Sequence, residues 1–383
     1  MRTLVVDTET TTFQKGNPFA DRNKLCYIGT YDGVSNNRWR IDGYGLPYGE
    51  EIRAAADYLR NWDLVVGFNI KFDLHWLRRY GIRFDSCHIW DCQLAEFIIT
   101  GQSTSLPSLD ATCTRLALGG KSGDIAARFW DIGIDTPQIP IPDIEQYLDN
   151  DCLVTWQLFE WQKAYLKDKP TLKRLIWNAC QDLKVTQEME YNGIFYDLET
   201  SRKLGDKKLE RIQEIDDILD KISGNQKLNW NSSDDLSAIL YGGTVYRDGH
   251  EEFTFTYKDG TSKIKQRRVR IPLTLPRIVE PLRGTESKKQ GFWFVNEGVL
   301  RKLRATGIAK KIIALVLERT KIETQVSRYL HGIPDLYVEM DWTGGLIHGQ
   351  LQHCTARTGR LASSKPNIQN LDEEALKCIK TRC

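Results

Sequence analysis

The sequence lacks closely paired cysteines: its nine are scattered, with no CxxC pair and no regular spacing. That argues against both a structural zinc site and a disulfide framework, and it points to a reducing, intracellular setting. No apolar run approaches the roughly 20 residues that a membrane helix needs. Met1-Arg2 leads straight into a strand-like run, so no signal peptide is expected and cytoplasmic residence is. Internal repeats and low-complexity segments are absent too, which excludes repeat architectures. What remains is a 383-residue chain, 41% hydrophobic and 27% charged, enough for two or three globular domains.

Net charge is only +2, but it is unevenly spread. Lys258 to Lys311 holds 15 Lys or Arg against 4 Asp or Glu, whereas acidic clusters fall in the first 160 residues. An acidic part followed by a basic part suits a protein that handles a polyanion, although a basic stretch is also an ordinary solvated surface.

Residues 3–7, 25–31 and 37–42 are expected strands, with Gly, Asn and Asp at the turns. Glu50 to Asn61 is expected to be a helix presenting Ile52, Ala55, Ala56 and Leu59 on one face. Leu64 to Gly67 reads as a short buried strand, and Asp73 to Tyr80 and Val154 to Tyr165 as further helices. This alternation predicts a mixed α/β layer fold ending near Pro170. Beyond it, Leu172 to Asn192, Ser201 to Ser223 and Val299 to Leu330 carry long helical patterns. Phe253, Phe255 and Tyr257 alternate before Asp259-Gly260, a hairpin signal. Asp335 to Leu351 reads as strand and turn.

Carboxylates stand in three islands within the first 151 residues: Asp7-Thr8-Glu9 after Leu4-Val5-Val6, Asn69 to Asp73 after Leu64 to Gly67, and Tyr147 to Asp151. Asp7 and Glu9, two apart, point to the same face of a strand. Asp73 opens a helix, where the dipole favours its charge. Asp151 is expected at another helix start, with Tyr147 four residues earlier on the same face. Each island alone is commonplace. Together, four carboxylates and a tyrosine without a ligand histidine suit a pair of hard divalent cations, about 3.5–4 Å apart, rather than zinc.

Val5-Val6-Asp7-Thr8-Glu9-Thr10, Val66-Gly67-Phe68-Asn69-Ile70-Lys71-Phe72-Asp73 and Tyr147-Leu148-Asp149-Asn150-Asp151 resemble the three motifs of the DEDD 3′–5′ exonucleases. Tyr147 marks the tyrosine-type branch, which includes the proofreading domains of DNA polymerases. The resemblance implies that Asp7, Glu9 and Asp151 ligate two Mg²⁺ ions (Mn²⁺ being the alternative), with Asp73 holding the second. It further implies that Tyr147 orients the attacking water and that Asn69 contacts the single-stranded 3′ end. Phe13, Phe19 and Phe72 are candidates to stack a terminal base or to pack in the core.

A second resemblance lies near the other end. His348-Gly349-Gln350-Leu351, then Thr355-Ala356-Arg357-Thr358-Gly359-Arg360-Leu361-Ala362-Ser363-Ser364-Lys365-Pro366-Asn367-Ile368-Gln369-Asn370, resemble the motif that opens the palm of family A DNA polymerases. Its usual core is TGRLSS followed by PNLQN; Ala362 replaces a Ser and Ile368 a Leu. Glu190 to Ile194, Asn229 to Ser233 and Leu240 to Gly243 are similar to that family's thumb. Arg357, Arg360 and Lys365 suit phosphates, and Asn367, Gln369 and Asn370 suit minor-groove acceptors.

The expected fold class is therefore α/β: a ribonuclease H-like mixed-sheet exonuclease domain over 1–170, then a mostly helical thumb region over 171–334. A basic β insert at about 244–295 falls in that region, either supporting the thumb or docking a partner. An incomplete start of a polymerase palm follows over 335–383. The exonuclease motif begins within ten residues of Met1, so no 5′-nuclease domain is expected and the layout resembles the compact phage type, at home in a host cytoplasm. The family's polymerising Asp motif, fingers helix and late His-Asp-Glu motif have no match before Cys383, so polymerisation is expected to need a C-terminal half as partner. The expected function is two-metal proofreading of DNA 3′ ends during replication, on a single-stranded 3′ end and a primer–template duplex. A non-catalytic DNA-binding or assembly module and an RNA-trimming exonuclease are the rivals.

Overall fold

The computed structural model describes residues 1–41, 49–119, 125–226, 228–258 and 260–381. The chain forms two compact units, one of residues 1–198 with 333–383 and one of residues 199–332.

The first unit is built on a five-stranded sheet of order β3-β2-β1-β4-β5. Its strands are β1 (Thr3–Thr10), β2 (Leu25–Tyr31), β3 (Asn36–Arg40), β4 (Leu64–Gly67) and β5 (His88–Asp91). The first two pairings, β1 with β2 and β2 with β3, are antiparallel; β1 with β4 and β4 with β5 are parallel. Helices α1 (Glu50–Leu59), α2 (Lys71–Arg79), α3 (Cys92–Ile99), α4 (Leu109–Leu116) and the short α5 (Ile125–Arg128) fall between and after the strands. Two long helices follow, α6 (Ile141–Tyr165) and α7 (Pro170–Asn192). The face expected for α1 is the buried one: Ile52, Ala55, Ala56 and Leu59. Asp42 and Asp259, included in the strand and turn expectations, lie outside the described residues.

Side chains that face each other across paired strands share a face of the sheet. Gly29 of β2 is paired with both Asp7 and Arg38, and Tyr27 with Glu9. Helix α6 covers that face. Arg38 donates to Asp149 at 3.0 Å, and the Tyr27 hydroxyl donates to Glu145 at 3.0 Å. A Cβ on Gly29 would lie 2.5 Å from Leu148 Cγ, so the missing side chain is what lets α6 lie this close to β2.

The second unit contains α8 (Leu198–Ile222), α9 (Ser233–Tyr241), the antiparallel pair β7 (Gly242–Thr256) and β8 (Ser262–Arg277), α10 (Glu297–Leu300) and α11 (Gly307–Gln325). A short strand, β6 (Ile194–Phe195), precedes α8 in the chain and belongs to the first unit. The expected hairpin is present and long, paired from Gly243↔Leu275 to Thr256↔Ser262. Ile215, Leu219, Trp230, Tyr241, Ile312 and Val316 form this unit's core. The single helix expected over Val299–Leu330 is broken at 301–306. Thr306 is extended and Gly307 takes φ +55°, a left-handed conformation open to glycine, so α11 starts afresh.

The rest of the first unit is α12 (Gly332–Glu339), β9 (Leu346–Ile347), β10 (Gln350–Gln352), β11 (Ala362–Ser364) and α13 (Glu373–Leu376). Strand β9 pairs with β6 and β10 with β11. Residues 335–339, expected as strand and turn, are instead helical. Pro334 lies in the first turn, where its fixed φ fits and no intrahelical N–H is required of it.

Candidate active site

Strand β1 runs on past residue 7 to Thr10, so it carries both Asp7 and Glu9, as their shared face requires. Its pairing with β4 stops at Val5↔Val66, while pairing with β2 continues to Thr10. The strand edge beside Asp7 and Glu9 is therefore open where the parallel neighbour has turned away. At that point β4 ends and Asn69 takes φ +59°, a left-handed turn that asparagine tolerates better than most residues. The chain then enters α2, with Asp73 in its first turn and only 3% exposed.

Asp151 is not at a helix start, as expected, but in the middle of α6. The helix begins ten residues earlier, at Pro140-Ile141-Pro142, because proline is accepted in a first turn. Tyr147 and Asp151 are still one turn apart on one face, and that face looks onto the sheet.

The result is a cavity of about 440 Å³ lined by Asp7, Glu9, Asn69, Asp73, Tyr147 and Asp151. All of the sequence-derived catalytic residues, with Asn69, are brought together there. Thr8 Oγ1 donates to Asp73 Oδ1 at 2.6 Å. Burial first, and then the neighbouring Asp7 carboxylate, push the Asp73 pKa well above the ordinary range. Burial also raises the Tyr147 phenol strongly, with Glu9, Asp151 and Asp7 adding to it. The Cys152 thiol is raised by burial and then by Asp7, Asp151, Asp149 and Asp73. Like charges crowded into one partly dry cavity are unfavourable alone and become favourable around a cation. The oxygen-only donor set fits Mg²⁺ or Mn²⁺.

Several residues that position this site carry no motif. Asp91, at the end of β5, accepts from the Asn69 backbone N–H at 3.1 Å and from Gln93 and Leu94 at the start of α3. Burial raises its pKa to about 6. Trp130 meets the Tyr147 ring edge-on, with centroids 5.7 Å apart, and its indole N–H donates to Thr136 Oγ1 at 3.2 Å. Thr136 in turn donates to the Thr10 carbonyl at 2.6 Å. Asp110, a further carboxylate on the cavity wall, and Phe68 were not singled out from sequence.

Of the candidate stacking residues, Phe72 lines the cavity. The other two are engaged elsewhere. Phe19 stacks on His348 with centroids 4.1 Å apart, and the Arg22 guanidinium lies 4.1 Å from the Phe13 ring centroid. Arg357, Arg360, Lys365, Asn367, Gln369 and Asn370 are exposed, on the β10–β11 hairpin and the turn after it, outside the cavity lining. The Asn367 side chain accepts from the Gln369 N–H at 3.2 Å, so it also caps that turn.

A buried ionic cluster fastens α2, α7 and β10 together. Lys71 donates to Glu190 at 2.7 Å and to the Leu351 carbonyl, while the Leu351 N–H donates to Glu190. His75 contacts Glu190 through Nε2 at 2.7 Å, and burial holds that imidazole neutral. The Nε2–H tautomer follows, with Nδ1 accepting from Gln187 at 3.3 Å.

Two stretches of the chain match known protein families. Residues 1–167 match the family model described as 3′-5′ exonuclease, and residues 273–382 match that described as DNA polymerase family A. DNA polymerase I of Synechocystis sp. is 25% identical over 308 residues, covering 79% of this chain and 26% of that protein. DNA polymerase I of Chloroflexus aurantiacus is 25% identical over 328 residues, covering 85% and 30%. The chain thus spans under a third of the length of these relatives. A solved structure described as the POL domain of Pol1 from M. smegmatis in complex with DNA primer-template and dNTP shares the fold. Its TM-score is 0.64 at 15% identity, over 98% of this chain and 53% of that one. The fold is that of a mixed-sheet, ribonuclease H-like exonuclease domain joined to a helical region. Residues 1–167 are thus similar to a 3′–5′ exonuclease and residues 273–382 to DNA polymerase family A, and most of the chain is similar to DNA polymerase I proteins.

Among the described residues no helix is long and apolar enough to cross a membrane.

Proposed function

We propose that this chain hydrolyses DNA from its 3′ end with the help of two divalent cations, as the proofreading part of a replicative polymerase. The observation that carries the reading is the convergence of Asp7, Glu9, Asp73, Tyr147 and Asp151 on one cavity. Asp7, Glu9, Asp73 and Asp151 would hold two Mg²⁺ or Mn²⁺ ions. Such ions, when bound, supply Lewis acidity toward water and toward the departing 3′ oxygen.

The chain's own side chains have separate tasks. Tyr147 stays protonated, since burial and the surrounding carboxylates oppose its ionisation. It therefore orients a water by hydrogen bonding and does not act as the base. Thr8 fixes the Asp73 carboxylate. Asn69, held by Asp91, and Phe72 present an amide and a ring to the terminal nucleotide. The exposed Arg357, Arg360, Lys365, Asn367, Gln369 and Asn370 would bind primer–template backbone and minor groove. The segments 1–170, 171–334 and 335–383 would serve as exonuclease, thumb and palm start.

Incubation of 5′-labelled single strands with Mg²⁺, Mn²⁺ or chelator tests the reading. Stepwise shortening from the 3′ end should require metal and should vanish in Asp7→Ala/Glu9→Ala. Shortening by that double variant at the parental rate would overturn the assignment.

A further inference from the structure

The β10–β11 hairpin, whose loop carries Arg357 and Arg360, is fastened to the exonuclease cavity's surroundings at two points, one in the loop and one in strand β10. On one side the Cys354 carbonyl accepts from the Leu106 N–H at 2.8 Å and from Ser105 Oγ at 3.3 Å. Leu106 lines the cavity and is followed by Pro107 and Ser108, which line it too. On the other side Lys71 and Glu190 grip the Leu351 backbone, and Lys71 lies in the same turn of α2 as the cavity residues Phe72 and Asp73. A Cβ on Gly359 would touch Gln102 at 3.5 Å, so the loop tip also meets the segment that leads to Leu106.

Leu106 is itself unusual. It is an apolar side chain, 50% exposed, held at φ +47° in the left-handed region that leucine avoids. Backbone outliers cluster at ligand sites, and this one lines the cavity and is held by a hydrogen bond to the hairpin loop. The loop that holds Leu106 through Cys354 also carries Arg357 and Arg360, both exposed. An apolar side chain against a base and cations against the backbone are the two elements of single-strand recognition.

We propose that the hairpin loop is part of the exonuclease's own strand-binding surface: the single strand entering the cavity runs over Leu106 and along Arg357 and Arg360. The hairpin thereby serves the nuclease site as well as any duplex. This rests on the exonuclease reading of the cavity, but binding can be tested apart from it.

The full chain is titrated in chelator with a single strand of about twelve nucleotides, long enough to leave the cavity, at several salt concentrations. Loss of two phosphate contacts in Arg357→Ala/Arg360→Ala should make the slope of log affinity against log salt shallower by about 1.4. Arg357→Lys/Arg360→Lys should restore it. With metal, the ratio of KM for the longer strand to KM for a trinucleotide should rise about tenfold in the alanine variant, and Leu106→Ala should raise KM for both. An unchanged salt slope on single strands, with loss confined to a blunt duplex, overturns the proposal. So does an equal rise in KM for both lengths. A parental chain that binds with the expected slope but cuts nothing overturns the exonuclease reading instead.

Discussion

Gly29→Ala tests the packing that sets the cavity. A Cβ there would lie 2.5, 2.7 and 2.8 Å from Leu148 Cγ, Cδ1 and Cδ2. Carbon contacts settle at about 3.5–4.0 Å, so something must yield by roughly 1 Å. Leu148 is fully buried and presents all three branch atoms, so turning its terminal methyls gives no relief. Overpacking of this kind costs about 1–3 kcal/mol, offset by up to about 1 kcal/mol because alanine suits a strand better than glycine. The more telling effect is on rate. Leu148 lies between Tyr147 and Asp151 on α6, and a displacement of about 1 Å at a reacting centre costs on the order of 100-fold. Leu148→Ala alone should cost about 2–5 kcal/mol through the cavity it leaves. In the double variant the added methyl enters that cavity, so its loss should fall short of the sum by about 1–2 kcal/mol. Urea midpoints with Mg²⁺-dependent strand shortening on the same samples give both quantities. A Gly29→Ala chain within about 0.5 kcal/mol of the parent and equally active, or a strictly additive double variant, would refute the role given to Gly29.

Asp7→Ala/Glu9→Ala should lower the shortening rate by at least about 10³-fold while leaving single-strand affinity in chelator near parental, as read by gel shift. Asp73→Asn removes a buried like charge, so it should raise the metal-free melting temperature and lose the gain that Mn²⁺ gives the parent, about 2.7 kcal/mol at a hundred times Kd. Asp91 has a folded pKa raised to about 6, so its contribution is complete below about pH 4 and is lost as pH rises to about 6. Asp91→Asn keeps the acceptor oxygen, and its urea midpoint relative to the parent should therefore climb across that window and level off above it. Glu190→Ala strands the Lys71 ammonium in the interior and should cost about 3–5 kcal/mol by urea denaturation, more than Lys71→Met.

Legibility in the sequence followed the range over which each cause acts. Asp7 and Glu9 share a face because a strand repeats every two residues, and Tyr147 and Asp151 because a helix repeats every three to four. Asn69 and Asp73 follow a short apolar strand closely enough for a turn and a helix start to be expected. Those are local rules, and they located every catalytic candidate. Asp91, Trp130 and Thr8 were invisible because each acts on a residue far along the chain: Asp91 on Asn69, Trp130 on Tyr147, Thr8 on Asp73. The early start of α6 was missed for a different reason. Proline breaks a helix interior, but Pro140 and Pro142 fall where a helix has no N–H to lose.

What turns three acidic islands into one site is decided by residues with no chemistry of their own. Local spacing says that Tyr147 and Asp151 share a helix face, but it does not say which face of the sheet that helix covers or how close it comes. Gly29 settles the approach, since any side chain there would hold Leu148 off the strand on which Asp7 is paired. Gly33 repeats the device one loop on, where a Cβ would lie 2.6 Å from the Trp156 ring. The end of β4 at Gly67 opens the strand edge through which Asp73 comes near Asp7. The carboxylates are held against their mutual repulsion by hydrophobic burial of α6 and by the Thr8 hydrogen bond. A centre loaded in this way favours a divalent cation before any substrate arrives, which is why removal of one charge is expected to stabilise the metal-free chain and disable it together.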